Sequence, residues 1–239
     1  MTPSAGSFRT TRWSVVLAAQ LPDSPDARRA LETLCEGYWY PLYAYTRRRG
    51  HSHSDAEDLS LGYFARLLEK RDLEDVDPSR GRFRSFLLAS LKHYLSNQAD
   101  RERAAKRGGG RKALAIDMSD ADQRYQLVDP TAHPPDRLFD RAWALALLER
   151  VLETLRREYA ERGRGALFDE IEGAITPSGG IDAYKEVAAR LGTTEGAIKI
   201  AVHRLRADYG AALRAEIADT LSEPDAIDGE LDALFRALE

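Results

Sequence analysis

Apolar residues recur at spacings of three and four along most of the chain, which places them on one face of an α-helix. Three consecutive segments, residues 25–49, 54–70 and 82–106, show this pattern clearly. Their apolar stripes are Leu31, Leu34, Tyr38, Leu42 and Tyr45, then Leu59, Tyr63 and Leu67, then Phe83, Phe86, Leu87, Leu91, Tyr94 and Leu95. No stretch alternates with the period of two that a half-buried strand requires. We therefore predict an all-α protein.

The helical pattern is interrupted after three consecutive glycines at positions 108–110. Residues 108–135 have no clear period and contain paired prolines, a composition typical of a flexible linker. The helical pattern resumes at Asp136, and its predicted apolar stripe is Leu145, Leu148, Leu152, Leu155 and Tyr159. We predict two helical domains, residues 1–107 and 136–221, joined by the linker 108–135. An acidic carboxyl-terminal helix, residues 222–239, follows, with its apolar residues Ile227, Leu231, Leu234 and Leu238 at helical spacing.

A helix-turn-helix pattern occupies residues 183–217. A short helix ends at Gly192, which suits a left-handed turn. The next helix begins at Thr193-Thr194-Glu195, with a threonine as its cap and an acid in its first turn. Its core stripe is Ile198, Val202, Leu205, Tyr209 and Leu213. At 100° per residue, the opposite face carries Gly196, Ile200, His203, Arg204 and Ala207, with Lys199 at the flank. Small side chains permit close approach to a groove and the cations can reach phosphates, so this face is predicted to bind DNA.

The charge is unevenly distributed. The chain has 35 Lys and Arg against 39 Asp and Glu, a net charge of −4. Residues 80–112 contain ten basic and two acidic residues, whereas residues 219–239 contain one basic and seven acidic residues. This excludes a non-specific polycation and indicates one basic surface that meets a polyanion. The basic segment is interleaved with aromatic residues, and both a nucleic-acid surface and a solvated helix face stay open for it.

Three motifs, in this order and at this separation, resemble the extracytoplasmic-function sigma factors of bacterial RNA polymerase, in the sigma-70 superfamily. The first is residues 38–50 followed by DAEDLSLGYFARLLEK (55–70), the second is GRFRSFLLASLKHYLSNQADRERAAKR (81–107), and the third is YKEVAARLGTTEGAIKIAVHRLR (184–206). The resemblance implies a region 2-like helical bundle over residues 1–107 and a region 4-like helix-turn-helix domain over residues 136–221. It also implies that residues 77–82 lie where a promoter base is flipped from the duplex.

The resemblance assigns a role to three sets of residues. Core polymerase would be bound by Asp55, Glu57, Asp58 and Leu61. The promoter −10 element would be bound by Arg82, Arg84, Lys92, His93, Ser96, Asn97 and Arg101. The promoter −35 element would be bound by Thr194, Glu195, Gly196, Lys199, Ile200, His203 and Arg204. The expected partners are therefore bacterial core RNA polymerase and promoter DNA, and an anti-sigma factor or another regulator stays open as a third.

We expect no enzymatic activity, no cofactor and no metal. The five histidines and the one cysteine do not have the spacing of metal ligands. The glycine triplet lacks the Lys-Ser/Thr of a phosphate-binding loop, and no nucleophile elbow or matched catalytic pair occurs. A cytoplasmic location away from membranes is expected, because no apolar run approaches about 18 residues and the first residues lack the apolar core of a signal peptide.

Two alternatives to a sigma factor stay open. One is a helix-turn-helix regulator that binds operator DNA without polymerase, and the other is an adaptor that sequesters a sigma or anti-sigma protein. The acidic helix 222–239 also allows two interpretations. It is either a terminal helix docked on its own domain or a regulatory element that covers a basic or apolar surface until polymerase or a partner displaces it.

Overall fold

The computed structural model describes residues 25–69, 82–104, 121–127, 133–175, 184–218, 221 and 227–239. Side chains at positions 25–34, 36, 68, 69, 101–104 and 127 fall outside this description. The described helices are α1 (Pro25–Arg48), α2 (His53–Glu69), α3 (Phe83–Ala104), α4 (Ala121–Leu127), α5 (Pro135–Glu161), α6 (Gly165–Ile171), a 3₁₀ turn (Glu172–Ala174), α7 (Tyr184–Arg190), α8 (Glu195–Ala218) and α9 (Ile227–Leu238). These residues contain no strand, so the predicted all-α class is confirmed for this part of the chain.

The chain forms two compact units. The amino-terminal unit comprises residues 1–146 together with 218–239, and the carboxyl-terminal unit comprises residues 147–217. The division falls inside α5, whereas the sequence predicted domain borders on either side of residues 108–135. The acidic helix α9, which follows the carboxyl-terminal unit in the sequence, belongs to the amino-terminal unit.

Aromatic residues fill the core of the amino-terminal unit. Tyr38 of α1 meets Phe83 of α3 edge to face, with ring centroids 5.6 Å apart. Tyr63 of α2 lies 5.8 Å from the ring of Tyr94 and donates a 3.2 Å hydrogen bond to the carbonyl of Leu87. All five side chains are at most 2% exposed. Because large buried rings contribute much of the hydrophobic stabilisation in a small core, these contacts hold α1, α2 and α3 together.

Part of the predicted linker is packed against this unit. Residues 121–127 form α4, and Ala121 and Tyr125 are buried in a cluster with Tyr40 and Tyr43 of α1. Asp122 accepts a 2.8 Å bond from Arg47. In its described part, the segment expected to be a flexible linker is therefore a docked helix. The remaining linker residues, 108–120 and 128–132, lie outside the described residues.

The core of the carboxyl-terminal unit is formed by side chains from α5 to α8. Phe168 of α6 is fully buried and its ring lies 5.3 Å from that of Tyr159 on α5. The predicted α8 stripe is confirmed at Ile198, Val202, Leu205 and Leu213, which are at most 6% exposed, while Tyr209 is half-buried. In α5 the buried positions are Leu147, Val151, Leu155 and Tyr159, whereas Leu145, Leu148 and Leu152 of the predicted stripe are only half-buried.

None of the helices in the described part of the chain is both long enough and apolar enough to cross a membrane. The described residues also contain no group of three or more His, Cys, Asp or Glu side chains arranged to hold a metal ion.

Candidate nucleic-acid interface

The turn between α7 and α8 has the backbone geometry of a Schellman motif. The amide of Thr193 donates to the carbonyl of Ala188 at 2.9 Å, and the amide of Gly192 donates to Ala189 at 3.3 Å. Gly192 has φ +62°, the left-handed conformation predicted for it. The Thr194 hydroxyl then accepts a 3.2 Å bond from the amide of Ala197, which caps α8 as predicted. The sequence therefore correctly predicted how this helix-turn-helix is built.

The predicted −35 residues share one exposed surface, which we call the outer face of α8. Each of the seven is exposed, whereas Ile198, Val202 and Leu205 on the same helix are at most 3% exposed. Ile200 is 55% exposed and is one of two exposed large apolar side chains, with Phe235, among the described residues. The outer-face residues are Thr194, Glu195, Gly196, Lys199, Ile200, His203 and Arg204. Small, apolar and cationic side chains together suit a surface that enters a DNA groove.

An ion pair lies at the start of this face. Lys199 Nζ is 2.7 Å from a carboxylate oxygen of Glu195, one turn away, and 5.7 Å from the ring centroid of Tyr184. The hydrogen bond from Lys199 holds the pKa of Glu195 below its usual value, and the same bond raises the pKa of Lys199. The side chains of Lys199 and Glu195 are 58% and 47% exposed, so salt and water screen the pair. Lys199 therefore stays cationic, but part of its charge is neutralised until Glu195 is displaced.

Three contacts that sequence reasoning missed fix α8 within its unit. Tyr159 donates a 2.9 Å hydrogen bond to Asp208, and Arg206 donates to the carbonyl of Ala174 at 2.7 Å. Arg150 lies 3.4 Å from Glu216. Each joins residues at least 32 positions apart, so no local pattern indicates it. Because α8 is held from its inner side, its outer face is left for a partner.

A second exposed polar surface lies on α3. Lys92, His93, Ser96 and Asn97, four of the predicted −10 residues, are all exposed on this helix at spacings of one, three and four. Lys92 is 2.8 Å from Asp136, an acid that sequence reasoning did not connect with it. Arg101, predicted to belong to the same surface, has its side chain outside the described residues.

A cavity of about 350 Å³ lies beside Lys92. It is bounded by one aromatic ring, two cations, one acid and three apolar side chains: Tyr45, Arg49, Lys92, Asp136, Leu95, Pro134 and Pro135. Burial raises the pKa of the Tyr45 hydroxyl, and the nearby cations only partly oppose that shift. The phenol is therefore neutral at physiological pH, and the charge of the cavity comes from Arg49, Lys92 and Asp136.

Arg82 and Arg84 do not lie on an open DNA-binding face, because both contact an acidic side chain. Arg82 Nε is 2.7 Å from Glu230 of α9, and Arg84 contacts the same carboxylate. Arg84 is 8% exposed, and its guanidinium also lies 3.5 Å from Asp140 and 4.2 Å from the ring centroid of Trp143. Burial lowers the pKa of Arg84 to about 10, so the group remains protonated at neutral pH. Both arginines form ion pairs with carboxylates in this structure, so their binding of DNA stays a prediction.

The predicted polymerase-binding residues lie near the start of α2. Ser52 caps the helix: its hydroxyl accepts a 3.1 Å bond from the amide of Asp55 and donates to the Asp55 carboxylate at 2.7 Å. Asp58 is exposed and Glu57 is half-buried, 3.6 Å from His53. Leu61 packs against the buried cluster that contains Ala56 and Tyr43. Asp55 and Asp58 are thus the acids most accessible to a partner here.

The most informative residue that sequence reasoning missed is Glu230. It is 1% exposed although it is an acid in an acidic segment. A signal was present, because Glu230 lies next to Leu231 and three residues after Ile227, on the apolar stripe of α9 rather than opposite it. An acid inside an apolar stripe indicates a buried partner of opposite charge.

A comparison of the chain with protein-family models, curated proteins and solved structures gave no match.

Proposed function

We propose that this protein is a sigma factor of the extracytoplasmic-function kind, which binds core RNA polymerase and directs it to promoters with −10 and −35 elements. The observation that carries the proposal is the outer face of α8. There the seven residues that match the −35 motif are all exposed on a helix that follows a tight, capped turn. Such a face is suited to the major groove, because small residues allow close approach and Lys199, His203 and Arg204 can donate to bases or phosphates.

The polar face of α3 supports the same proposal. Lys92, His93, Ser96 and Asn97 present donors and one cation along a single exposed surface. Single-stranded DNA is held by backbone charge together with stacking on aromatic rings. The cavity beside Lys92 offers the first feature, because the cations of Lys92 and Arg49 lie in its lining, whereas the Tyr45 ring in the same lining is buried.

Each domain alone makes few phosphate contacts, so we expect weak promoter affinity for the free protein. The protein would then depend on core polymerase for stable binding. Asp55, Glu57, Asp58 and Leu61 are assigned to that contact, with Asp55 and Asp58 as the exposed acids that meet basic residues on the polymerase.

Promoter-specific transcription with purified core polymerase tests the proposal. We would combine Lys199→Glu with Arg204→Glu and measure both binding to polymerase and transcription from a −35-dependent promoter selected with the unaltered protein. Transcription should fall about tenfold or more, because two phosphate-facing cations become acids, while polymerase binding is unchanged. The matched control is Arg157→Glu with Arg164→Glu, the same change of charge at two exposed positions away from the outer face of α8.

The same experiment separates the two alternatives. A helix-turn-helix regulator would lose operator binding in the double variant and would not be retained by core polymerase in a pull-down. An adaptor that sequesters a sigma or anti-sigma protein would be indifferent to both charge reversals. Promoter-specific transcription that survives Lys199→Glu with Arg204→Glu would contradict the proposed use of α8.

A further inference from the structure

Glu230 joins the carboxyl-terminal helix to two arginines at the start of α3. One carboxylate oxygen is 2.7 Å from Arg82 Nε, and the other contacts Arg84 Nη1. The carboxylate is 1% exposed and Arg84 is 8% exposed, whereas the Arg82 side chain is 40% exposed. A carboxylate this deeply buried is stable only when cations compensate it, so α9 is held here by ion pairs with Arg82 and Arg84.

Removal of Glu230 would leave an anion-binding site. Two guanidinium groups would remain, with Asp140 as the remaining acid that the structure pairs with Arg84, at 3.5 Å. The Arg84 guanidinium carbon also lies 4.2 Å from the centroid of the Trp143 ring. This cation–π contact would keep the guanidinium in position. A guanidinium group donates hydrogen bonds to a carboxylate and to a phosphate with similar geometry. The site that Glu230 fills is thus also shaped for a phosphodiester.

This site belongs to the same helix as the exposed polar face of α3. Arg82 immediately precedes the helix and Arg84 lies in its first turn, while Lys92, His93, Ser96 and Asn97 follow along it. A DNA strand held by that face, the assignment on which this inference rests, would bring backbone phosphates toward the start of α3. An acidic helix is the natural competitor for such a strand, since both present anions to the same cations.

The attachments of α9 suit a removable element. Its 12 residues are too few for a stable isolated helix, so it depends on the unit that it covers. Leu231 and Leu234 are buried, and Arg141 donates to the carbonyl of Leu238 near the end of the helix. Its outer side exposes Phe235 at 53%. Its attachment thus includes two apolar anchors, one carboxylate and arginine bonds to carbonyls at its end.

We propose that Arg82 and Arg84 form a phosphate site for promoter DNA and that Glu230 holds it closed in the free protein. DNA binding at α3 then requires the carboxylate to leave. The acidic helix acts as an intramolecular competitor, and the free energy needed to displace it lowers the affinity of the free protein for DNA.

Fluorescence anisotropy with a labelled single-stranded 20-mer tests this on the full chain. Glu230→Gln, which keeps the size of the side chain and removes its charge, should raise affinity about tenfold, the worth of one charge-assisted contact. The plot of log affinity against log salt should steepen by about 0.7, as expected for one additional phosphate on a single strand. Asp232→Asn is the matched control, because it removes an exposed acid of the same helix and should change affinity less than twofold.

A second substitution shows where the gain arises. Adding Arg82→Gln to Glu230→Gln should remove most of the gain, since the phosphate would lose one of its two cations. If Glu230→Gln unfolds the unit, as judged by circular dichroism, Leu234→Ala replaces it, because that variant loosens α9 without changing charge and should also raise affinity.

Unchanged affinity in a folded Glu230→Gln protein, or an equal gain in Asp232→Asn, would overturn the proposal. Polymerase binding and promoter-specific transcription test the proposed function separately. If Glu230→Gln has no effect while Lys199→Glu with Arg204→Glu still abolishes transcription, only the phosphate site is wrong. If polymerase binding and promoter-specific transcription are also absent, the sigma assignment fails with it.

Discussion

Arg47 and Asp122, 75 residues apart in the sequence, form a 2.8 Å ion pair that fastens α4 to α1. The Arg47 side chain is 15% exposed and that of Asp122 is 41% exposed. Arg47 also lies 5.0 Å from the ring centroid of Tyr125, and Tyr43 donates a longer, 3.4 Å bond to the same carboxylate. Asp122 is therefore the polar centre of a small interface between α1 and a helix that the sequence predicted to be linker.

Asp122→Ala should release α4 from α1. We expect a loss of about 1 kcal/mol in the free energy of unfolding, because the pair is charge-assisted but half open to solvent. The free energy of local opening, measured by hydrogen exchange of the amides in residues 121–127, should fall by a similar amount. Gln123→Ala, at an exposed position of the same helix, should change neither quantity. Equal protection of α4 in both variants would show that the apolar contacts of Ala121 and Tyr125 hold it alone.

Alanine substitution of two isoleucines on α8 should affect different properties, the stability at Ile198 and the DNA affinity at Ile200. Ile198 is 1% exposed and Ile200 is 55% exposed. Ile198→Ala should lower the free energy of unfolding by about 2–5 kcal/mol, since it leaves a cavity. Ile200→Ala should lower it by less than about 0.5 kcal/mol, yet weaken promoter binding by removing an apolar contact from the outer face. Urea denaturation and DNA-binding assays on both variants check this, and a DNA affinity unaffected by Ile200→Ala would remove that residue from the interface.

The backbone conformation of Gly192, in the turn before α8, should by itself make the protein's stability sensitive to substitution there. A Cβ at Gly192 would meet nothing within 4 Å, but its φ of +62° is unfavourable for alanine. Gly192→Ala should therefore lower the free energy of unfolding by about 1 kcal/mol. Gly210→Ala, inside α8 and also in open space, should raise it by about 0.5–1 kcal/mol. Thermal unfolding of both variants measures the contrast, and a destabilised Gly210→Ala protein would mean that some other constraint acts on the helix.

The ion pair of Glu195 and Lys199 predicts a pH response. The folded-state pKa of Glu195 is lowered below 4.5, so its stabilising contribution is full above pH 4.5 and is lost as the pH falls through the folded-state pKa. The pKa of Lys199 is raised above 10.5, so its contribution is full below pH 10.5 and is lost at higher pH.

Carboxyl NMR measures the Glu195 titration directly. Lys199→Gln should return the pKa of Glu195 toward 4.5, because the hydrogen bond from Lys199 is the largest cause of its shift. Arg204→Gln should leave it unchanged, since Arg204 is not among the groups that perturb it. A Glu195 pKa that does not respond to Lys199→Gln would show that the pair is not formed in solution.

Local features were predictable from the sequence where one short segment determines them. The left-handed Gly192, the Thr194 cap and the inner and outer faces of α8 follow from spacing and turn chemistry within about 25 residues. The buried side of α5 did not follow in the same way. Residues 142–148 are seven consecutive apolar residues, so a period of 3.6 cannot be assigned there, and Leu147 is buried where Leu145 and Leu148 were expected.

Contacts between distant segments were not predictable. Lys92 was correctly expected to be exposed, but its pairing with Asp136, 44 residues away, has no local signature. Arg84 was predicted to be part of an open basic surface, and the structure buries it under Glu230. Both partners of that pair are common residues in ordinary helical positions, and only the folded chain shows that they meet.

Because the chain is synthesised from its amino terminus, Arg84 is made well before its partner Glu230. The two residues are separated by 146 positions, and at about 5–20 residues per second the ribosome needs roughly 7 to 30 s to pass from one to the other. During that interval the amino-terminal residues have emerged while the buried arginine still lacks its carboxylate. A nascent chain thus exposes a strongly anion-attracting site for some seconds, and any product terminated before residue 230 keeps it permanently.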